Sequence, residues 1–269
     1  MDPLRFEPVQ ELPDDWSGTV TVVVRGGNVV VLDDHPDEVA PHAARLLLGV
    51  LDGAACWALD LDGDGDHLVG ADVEDLDAIG VPLMALHGRV DDARWTLAGR
   101  AVQLVEWERT HQFCGRCGTP TEPAPGERAR RCPTCRLLAF PRLAPAVITL
   151  IEREDEVLLA RGAAFPIPMY SCIAGFVEPG ETLEHAVHRE VREEVGVELA
   201  EVNYIASQPW PFPHSLMIGF EATWASGDIV IDEKEIVDAQ WYRVDDLPMI
   251  PPAMSIARTL IDRWISRQS

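Results

Sequence analysis

A mixed α/β chain of more than one domain is what this sequence predicts, on three observations. Runs rich in Val, Ile and Thr alternate with helical periodicities along the chain. Two Cys-x-x-Cys pairs fall close together near its middle. A length of 269 residues suits two cores better than one. The expected division is a mixed N-terminal domain with a linking helix over 1–110, a cysteine-bearing ribbon over 111–140, and an α/β/α sandwich over 141–269.

Composition narrows the class. Hydrophobic residues make up 47% of the chain, which is globular, and no run of ~18 apolar residues offers a membrane span. The start, MDPLRFEPVQELPDD, lacks the basic and apolar regions of a signal peptide, so a cytoplasmic protein with no membrane association is expected. A net charge of −23 opposes broad attraction to nucleic acid or anionic lipid. The same charge repels a phosphate substrate unless cations intervene. Lys234 is the only lysine, and the predominance of arginine reads as compositional bias.

Residues 17–33, SGTVTVVVRGGNVVVLD, place Val and Thr on both sides of Gly26-Gly27, a hairpin signal. CWALDLD and HLVGADV read as short strands. The Asp-Gly run between them superficially resembles a calcium loop, but it lacks the closing Glu at the twelfth position and fits a hairpin turn better. From Asp91 to His111 the pattern is helical, with Leu97, Val102, Leu104, Val105 and Trp107 supplying apolar faces.

Cys114 and Cys117 form one Cys-x-x-Cys, and Cys132 and Cys135 another, with fourteen residues between the pairs. Four thiolates so spaced suit one tetrahedral Zn²⁺ per subunit, and a closed set of four sulfurs makes that zinc structural. Disulfides are the competing reading, disfavoured in a reducing compartment. Cys56 and Cys172 have no such partners and read as buried small residues. Arg116, Arg128, Arg130, Arg131 and Arg136 make the ribbon locally basic. They either meet RNA or a polyphosphate, or are solvated on an exposed ribbon or paired with the acidic remainder.

Beyond Pro141, APAVITLIER and EVLLAR frame a turn at Glu154-Asp155, and SCIAGF leads into an acidic helix. YIASQPW, SLMIGFEATW and AQWYRV follow as strands, and a closing helix spans about Ala253 to Ile265. In the acidic helix, Leu183, Ala186, Val187 and Val191 recur at the helical period. Gly180 breaks the chain before it, Glu181 sits where a negative charge suits the macrodipole, and Gly196 stops it. Glu190, Glu193 and Glu194 gather on another face, where like charges cost roughly 0.2–0.5 kcal/mol per pair. Arg189 and Arg192 offset part of that cost. A hard divalent cation, Mg²⁺ or Mn²⁺, turns the repulsion into a site.

The spacing of Gly175, Glu181, Arg189, Glu190, Val191, Glu193, Glu194, Gly196 and Val197 resembles the Nudix hydrolase box with no departure. Chance gives such a match on the order of 10⁻⁹ per position, which sets aside an ordinary solvated acidic face. The box implies a Nudix fold for the sandwich and hydrolysis of a nucleoside diphosphate joined to another group. Selectivity must lie elsewhere.

Ser207 to Ser215, SQPWPFPHS, reads as a loop that three prolines stiffen around Trp210 and Phe212, suited to flat rings or equally to a core or dimer contact. With the ribbon just before the Nudix segment, it resembles the NADH pyrophosphatase family, from about Ala98 to the end and only in general architecture before that. The resemblance implies a homodimer that cleaves NADH or NAD⁺ to nicotinamide mononucleotide and AMP and removes NAD caps from RNA. It implies Mg²⁺ or Mn²⁺ ligation by Glu190, Glu194, Glu235 and the Ala174 carbonyl, with Glu193 beside them as base or ligand. It further implies substrate contacts from Glu127, Phe140, Phe176, Gln208, Pro209, Trp210, Pro211, Phe212, Pro213, His214, Ser215 and Ala257. Phe140 stands where the family has Tyr and loses its hydroxyl, and LMALHGR offers no match to a family arginine near position 85. Two other readings compete: a Nudix enzyme for ADP-ribose or dinucleoside polyphosphates, and a non-catalytic ribbon module binding RNA or protein. A substrate panel separates the first, and the intact glutamate set argues against the second.

Overall fold

The computed structural model describes residues 6–40, 42–61 and 80–268. The Asp-Gly run and the expected strand HLVGADV lie outside the described residues. The chain divides into two compact units, Met1–Arg142 and Leu143–Ser269. No helix among the described residues is long and apolar enough to cross a membrane.

In the first unit the elements run β1 (Phe6–Glu7), β2 (Thr19–Arg25), β3 (Asn28–Leu32), α1 (Pro36–Val39), β4 (Ala44–Leu51), β5 (Ala54–Asp60), β6 (Val81–Pro82), α2 (Leu83–Leu86) and α3 (Asp92–Thr110). The strands form one sheet in the order β1-β4-β5-β2-β3-β6, with β2 and β5 parallel and the other pairs antiparallel. Gly26 and Gly27 both take positive φ in the β2–β3 turn, as their lack of a Cβ permits. The helix α3 begins at Asp91, whose side chain accepts from the Arg94 amide at 2.9 Å. It buries Leu97, Leu104, Val105 and Trp107, with Val102 half-buried. The strand β4 is a departure from the sequence reading. From Leu46 to Leu51, LLLGVL, it is a continuous run without the polar alternation that marks a half-exposed strand. The ribbon follows as a small antiparallel sheet of β7 (Glu122–Pro123), β8 (Arg130–Arg131) and β9 (Leu138–Ala139).

The second unit contains β10 (Ala144–Arg153), β11 (Glu156–Gly162), β12 (Ile173–Phe176), α4 (Leu183–Val195), β13 (Glu198–Trp210), β14 (Ser215–Ser226), β15 (Ile236–Arg243) and α5 (Ile256–Arg267). Its sheet runs β13-β14-β10-β11-β15, with β12 also paired to β10. The β10–β14 pair is parallel. Both faces are covered, which is why Val147, Ile148, Leu150 and Ile151 of β10 are apolar on both faces. Val147, Ile151 and Leu158 pack with Ala186, Val187 and Val191 of α4. Ile148, Leu150 and Leu159 pack on the other side with Leu260, Ile261 and Trp264 of α5. This is the expected α/β/α sandwich.

The two units share a strand order. In each, a hairpin (β2–β3, β10–β11) lays its first strand parallel to the second strand of another antiparallel pair (β4–β5, β13–β14). Between β3 and β4 the only helix among the described residues is the single turn α1, whereas between β11 and β13 the chain inserts β12 and α4.

Candidate active site

The acidic helix is held at both ends. Thr182 caps its start, accepting from the His185 amide at 3.2 Å, and Gly196 ends it in the left-handed conformation at φ 74°. Burial of Ala186, Val187 and Val191 fixes the rotation of α4 and turns Glu190 and Glu194 toward β12. Gly175 of β12 is required there: a Cβ at that position would stand 1.9–2.2 Å from the Glu190 carboxyl group. The glycine of the box is space for a carboxylate.

Arg189 organises the acids around it. Its Nε donates to Glu181 Oε1 at 2.8 Å and Nη2 to Glu181 Oε2 at 2.8 Å, a bidentate pair. Nη1 donates to Glu190 at 2.8 Å and Glu193 at 3.0 Å, and Nη2 also reaches the Phe176 carbonyl at 2.9 Å. All five guanidinium hydrogens are used. Glu181 therefore does more than complement the helix dipole: it turns back onto Arg189. Those hydrogen bonds, with that of the Glu178 amide, hold its carboxyl down at about 2. Burial pushes Glu190 up, with Arg189 opposing.

Glu194 is the electrostatic centre. Its carboxylate is buried, and no hydrogen bond or ion pair from the described residues reaches it. Burial, then Glu190, Glu235 and Glu193, push it up to about 8. Glu235 arrives from far along the chain on a turn tied to α4. The Asp232 amide donates to the Glu194 carbonyl at 3.0 Å, and the Asp232 carbonyl accepts from Glu235 at 3.0 Å. Asp232 also accepts from the Lys234 amide at 3.0 Å through its side chain. Asp232 escaped the sequence reading, although an Asp two residues before a turn's amide is a recognisable Asx-turn signal.

Glu190, Glu193, Glu194 and Glu235 line one cleft of about 600 Å³ with Ala174, Phe176, Ser215 and the additional residues Asp232, Glu178 and Met217. A buried carboxylate without a protein cation, among all-oxygen donors, fits a hard divalent ion. Glu190, Glu194 and Glu235 would hold it.

A pH dependence follows. The folded pKa of Glu194 lies above its ordinary value of 4.5. The folded chain therefore binds more protons than the unfolded chain between those values, and stability falls as pH rises through that window. In buffer without Mg²⁺ or Mn²⁺, the melting temperature should drop as pH rises from 4.5 to about 8, a loss of stability on the order of a few kcal/mol. Millimolar Mn²⁺ should restore it, and Glu194→Gln should flatten the drop. Equal pH dependence in the variant and the wild type would refute the assignment.

The stretch Gln208 to Ser215 forms the end of a β-hairpin and not a free loop. Gln208, Pro209 and Trp210 belong to β13, and Trp210 pairs with Ser215 of β14. Pro211, Phe212, Pro213 and His214 make the turn, with the Trp210 and Phe212 rings edge-on at 5.0 Å. The His214 carbonyl accepts from Ala144 at 2.9 Å. The buried Gln208 carboxamide donates to the Met254 carbonyl and accepts from the Ile256 amide, both at 2.7 Å, latching the start of α5. Ala257 buries its methyl in the core beneath α5. Phe176, at 56% exposure, presents its ring at the cleft. Glu127 and Phe140 belong to the first unit, where both are exposed.

In the ribbon the four sulfurs of Cys114, Cys117, Cys132 and Cys135 all lie within 4.8 Å of one another. Cys114–Cys135 and Cys117–Cys132 are each 3.5 Å apart. That is too far for disulfides and near the ~3.8 Å edge of a tetrahedron with Zn–S of ~2.3 Å. Backbone amides of Arg116 and Cys135 point at Cys114 and Cys132 sulfurs at 3.4 Å. The basic patch is largely consumed. Arg128 donates to the Leu47 and Val9 carbonyls at 2.7 and 2.8 Å. Arg130 pairs with Glu108 at 2.7 Å, and Arg131 with Glu122 at 2.6 Å.

A mixed sheet between two helices, with carboxylates converging on a cleft from a capped acidic helix, is the architecture of a Nudix hydrolase. Family models agree: NUDIX domain over 141–264, NADH pyrophosphatase zinc ribbon domain over 109–140, and NADH pyrophosphatase-like rudimentary NUDIX domain over 18–107. The chain is 47% identical over 251 residues to the NAD-capped RNA hydrolase NudC of Deinococcus radiodurans, covering 89% of this chain and 85% of that one. It is 40% identical over 267 residues to the protein of that name in Pseudomonas fluorescens, covering 96% and 92%. A NUDIX hydrolase structure from Nitrosomonas europaea shares the fold, with a TM-score of 0.51 at 22% identity over 58% of this chain and 92% of that one. The chain belongs to the NADH pyrophosphatase family of Nudix hydrolases. It is an enzyme acting on phosphorus anhydrides, with a structural zinc on its four cysteines and Mg²⁺ or Mn²⁺ for catalysis. The match over 18–107 extends the likeness into a region where no motif stands out.

Proposed function

We propose that this enzyme hydrolyses the pyrophosphate of NAD(H) to nicotinamide mononucleotide and AMP, and removes NAD caps from RNA 5′ ends. The observation that carries the reading is the exposed Phe176 ring in the same cleft as the unpaired, buried Glu194. An aromatic platform there suits a flat base, and the carboxylates suit a pyrophosphate made approachable by cations. Divalent ions bound there would neutralise the pyrophosphate and make water a better nucleophile. The chain's own part is positioning. Arg189 locks Glu190 and Glu193, the Asp232 turn brings Glu235 to α4, and Phe176 orients one ring so that attack is in line. We assign further substrate contacts to Glu127, Phe140, Ala257 and the hairpin end from Gln208 to Ser215, supported by family resemblance. A cytoplasmic homodimer completes the proposal, and six cysteines with no disulfide among them support the reducing compartment.

The test compares turnover of NADH, NAD-capped RNA, ADP-ribose and a dinucleoside polyphosphate with Mn²⁺. NADH and capped RNA should lead; preference for either of the other two overturns the reading. Phe176→Ala should remove stacking worth roughly 1–3 kcal/mol, lowering kcat/KM for NADH and capped RNA alike by about 5- to 150-fold. Mn²⁺ affinity should hold. If both substrates were unaffected, or only metal binding changed, ring stacking on Phe176 would have to be abandoned.

A further inference from the structure

Two ribbon arginines stand apart from the paired ones. Arg116 lies within the first Cys-x-x-Cys, and Arg136 directly follows the second. Both are exposed, and no side-chain hydrogen bond or ion pair among the described residues engages either guanidinium. The sulfur cluster brings their two turns together. The Arg116 amide is 3.4 Å from Cys114 Sγ, which is 3.5 Å from the sulfur of Cys135, the neighbour of Arg136. Thr119 and Thr134 join the same two turns at 3.4 Å. Arg136 takes a positive φ of 61° where the first turn uses Gly118 at 73°, so the second turn carries a charged side chain at a position glycine fills more easily. Phe113, next to Cys114 in the chain, is 66% exposed.

We propose that Arg116, Arg136 and Phe113 form a site for single-stranded RNA, taking phosphates of the chain that follows the cap. The inference rests on the capped-RNA part of the proposed function. Free positive charge beside an exposed ring is the pattern of single-strand binders, in which arginines neutralise phosphates and an aromatic face stacks a base. In a chain of net charge −23, an RNA body meets general repulsion, and unpaired local cations give it a place to rest. A free dinucleotide has no such body, so the site distinguishes RNA from NADH.

The experiment uses the full-length zinc-loaded protein and an Arg116→Ala/Arg136→Ala double variant, with zinc content and melting temperature confirming an intact ribbon. Binding of a labelled single-stranded RNA bearing only a 5′-phosphate is read by fluorescence anisotropy across salt concentrations. The double variant should bind about tenfold more weakly at low salt, with a log–log salt slope shallower by about 1.4, two contacts at ~0.7 each. Its kcat/KM for NAD-capped RNA should fall similarly while NADH turnover is unchanged, and Arg116→Lys/Arg136→Lys should retain most of the binding. Unchanged RNA affinity and salt slope would overturn the proposal, as would an equal loss on NADH, which would place the arginines on the dinucleotide itself. If wild-type enzyme cleaved neither substrate, the functional reading would fail while the anisotropy measurement still decided this site.

Discussion

Glu194→Gln should lower kcat for NADH by at least about 100-fold with KM little changed, because it neutralises a ligand whose effect is greatest as charge develops on the phosphates. The fold should tolerate the change. The Glu194 carboxyl group makes no hydrogen bond or ion pair with the described residues, so an isosteric amide strands no partner. It also removes a carboxyl that burial and three neighbouring glutamates push up to about 8, so the variant should melt no lower than wild type at pH 8 without divalent ions. Zinc content should be unaffected, since the sulfur cluster involves other residues. Near-normal turnover at saturating Mg²⁺ would remove Glu194 from the metal site.

Cys132→Ser should instead cost stability and zinc together. Cys132 is wholly buried, its sulfur accepts from the Cys135 amide at 3.4 Å, and its backbone closes the second turn with Leu137 and Arg136 at 2.9 and 3.0 Å. A structural zinc contributes on the order of 10 kcal/mol to folding its ribbon, so loss of one thiolate should release the metal and melt β7 to β9 early. Atomic absorption and thermal melts read both effects. A stable, fully active variant without zinc would show that the four sulfurs do not hold a folding metal.

What was legible in the sequence was local. The box spacing identified Glu190, Glu193 and Glu194 because a helix converts spacing into a face, and the cysteine spacing was equally direct. Gly26-Gly27 marked its hairpin because two positive φ angles in succession favour glycine. The missed features depend on distant partners. The pairing of Arg130 with Glu108 spans the ribbon and α3, so the basic patch looked freer than it is. The two hydrogen bonds that commit Gln208 to residues 254–256 cross the second unit, which left its stretch reading as a loop. The strand β4 has no polar alternation to announce it, and with β4 unseen the common strand order of the two sheets was hidden.

That common order separates two demands that usually conflict. Catalysis asks a protein to bury like charges that weaken it, and the second unit does so with Glu190 and Glu194. Among its described residues the first unit buries no carboxylate, and its connection from β3 to β4 carries only the short α1. One sheet is therefore exempt from the compromise between robustness and activity, while its counterpart bears it.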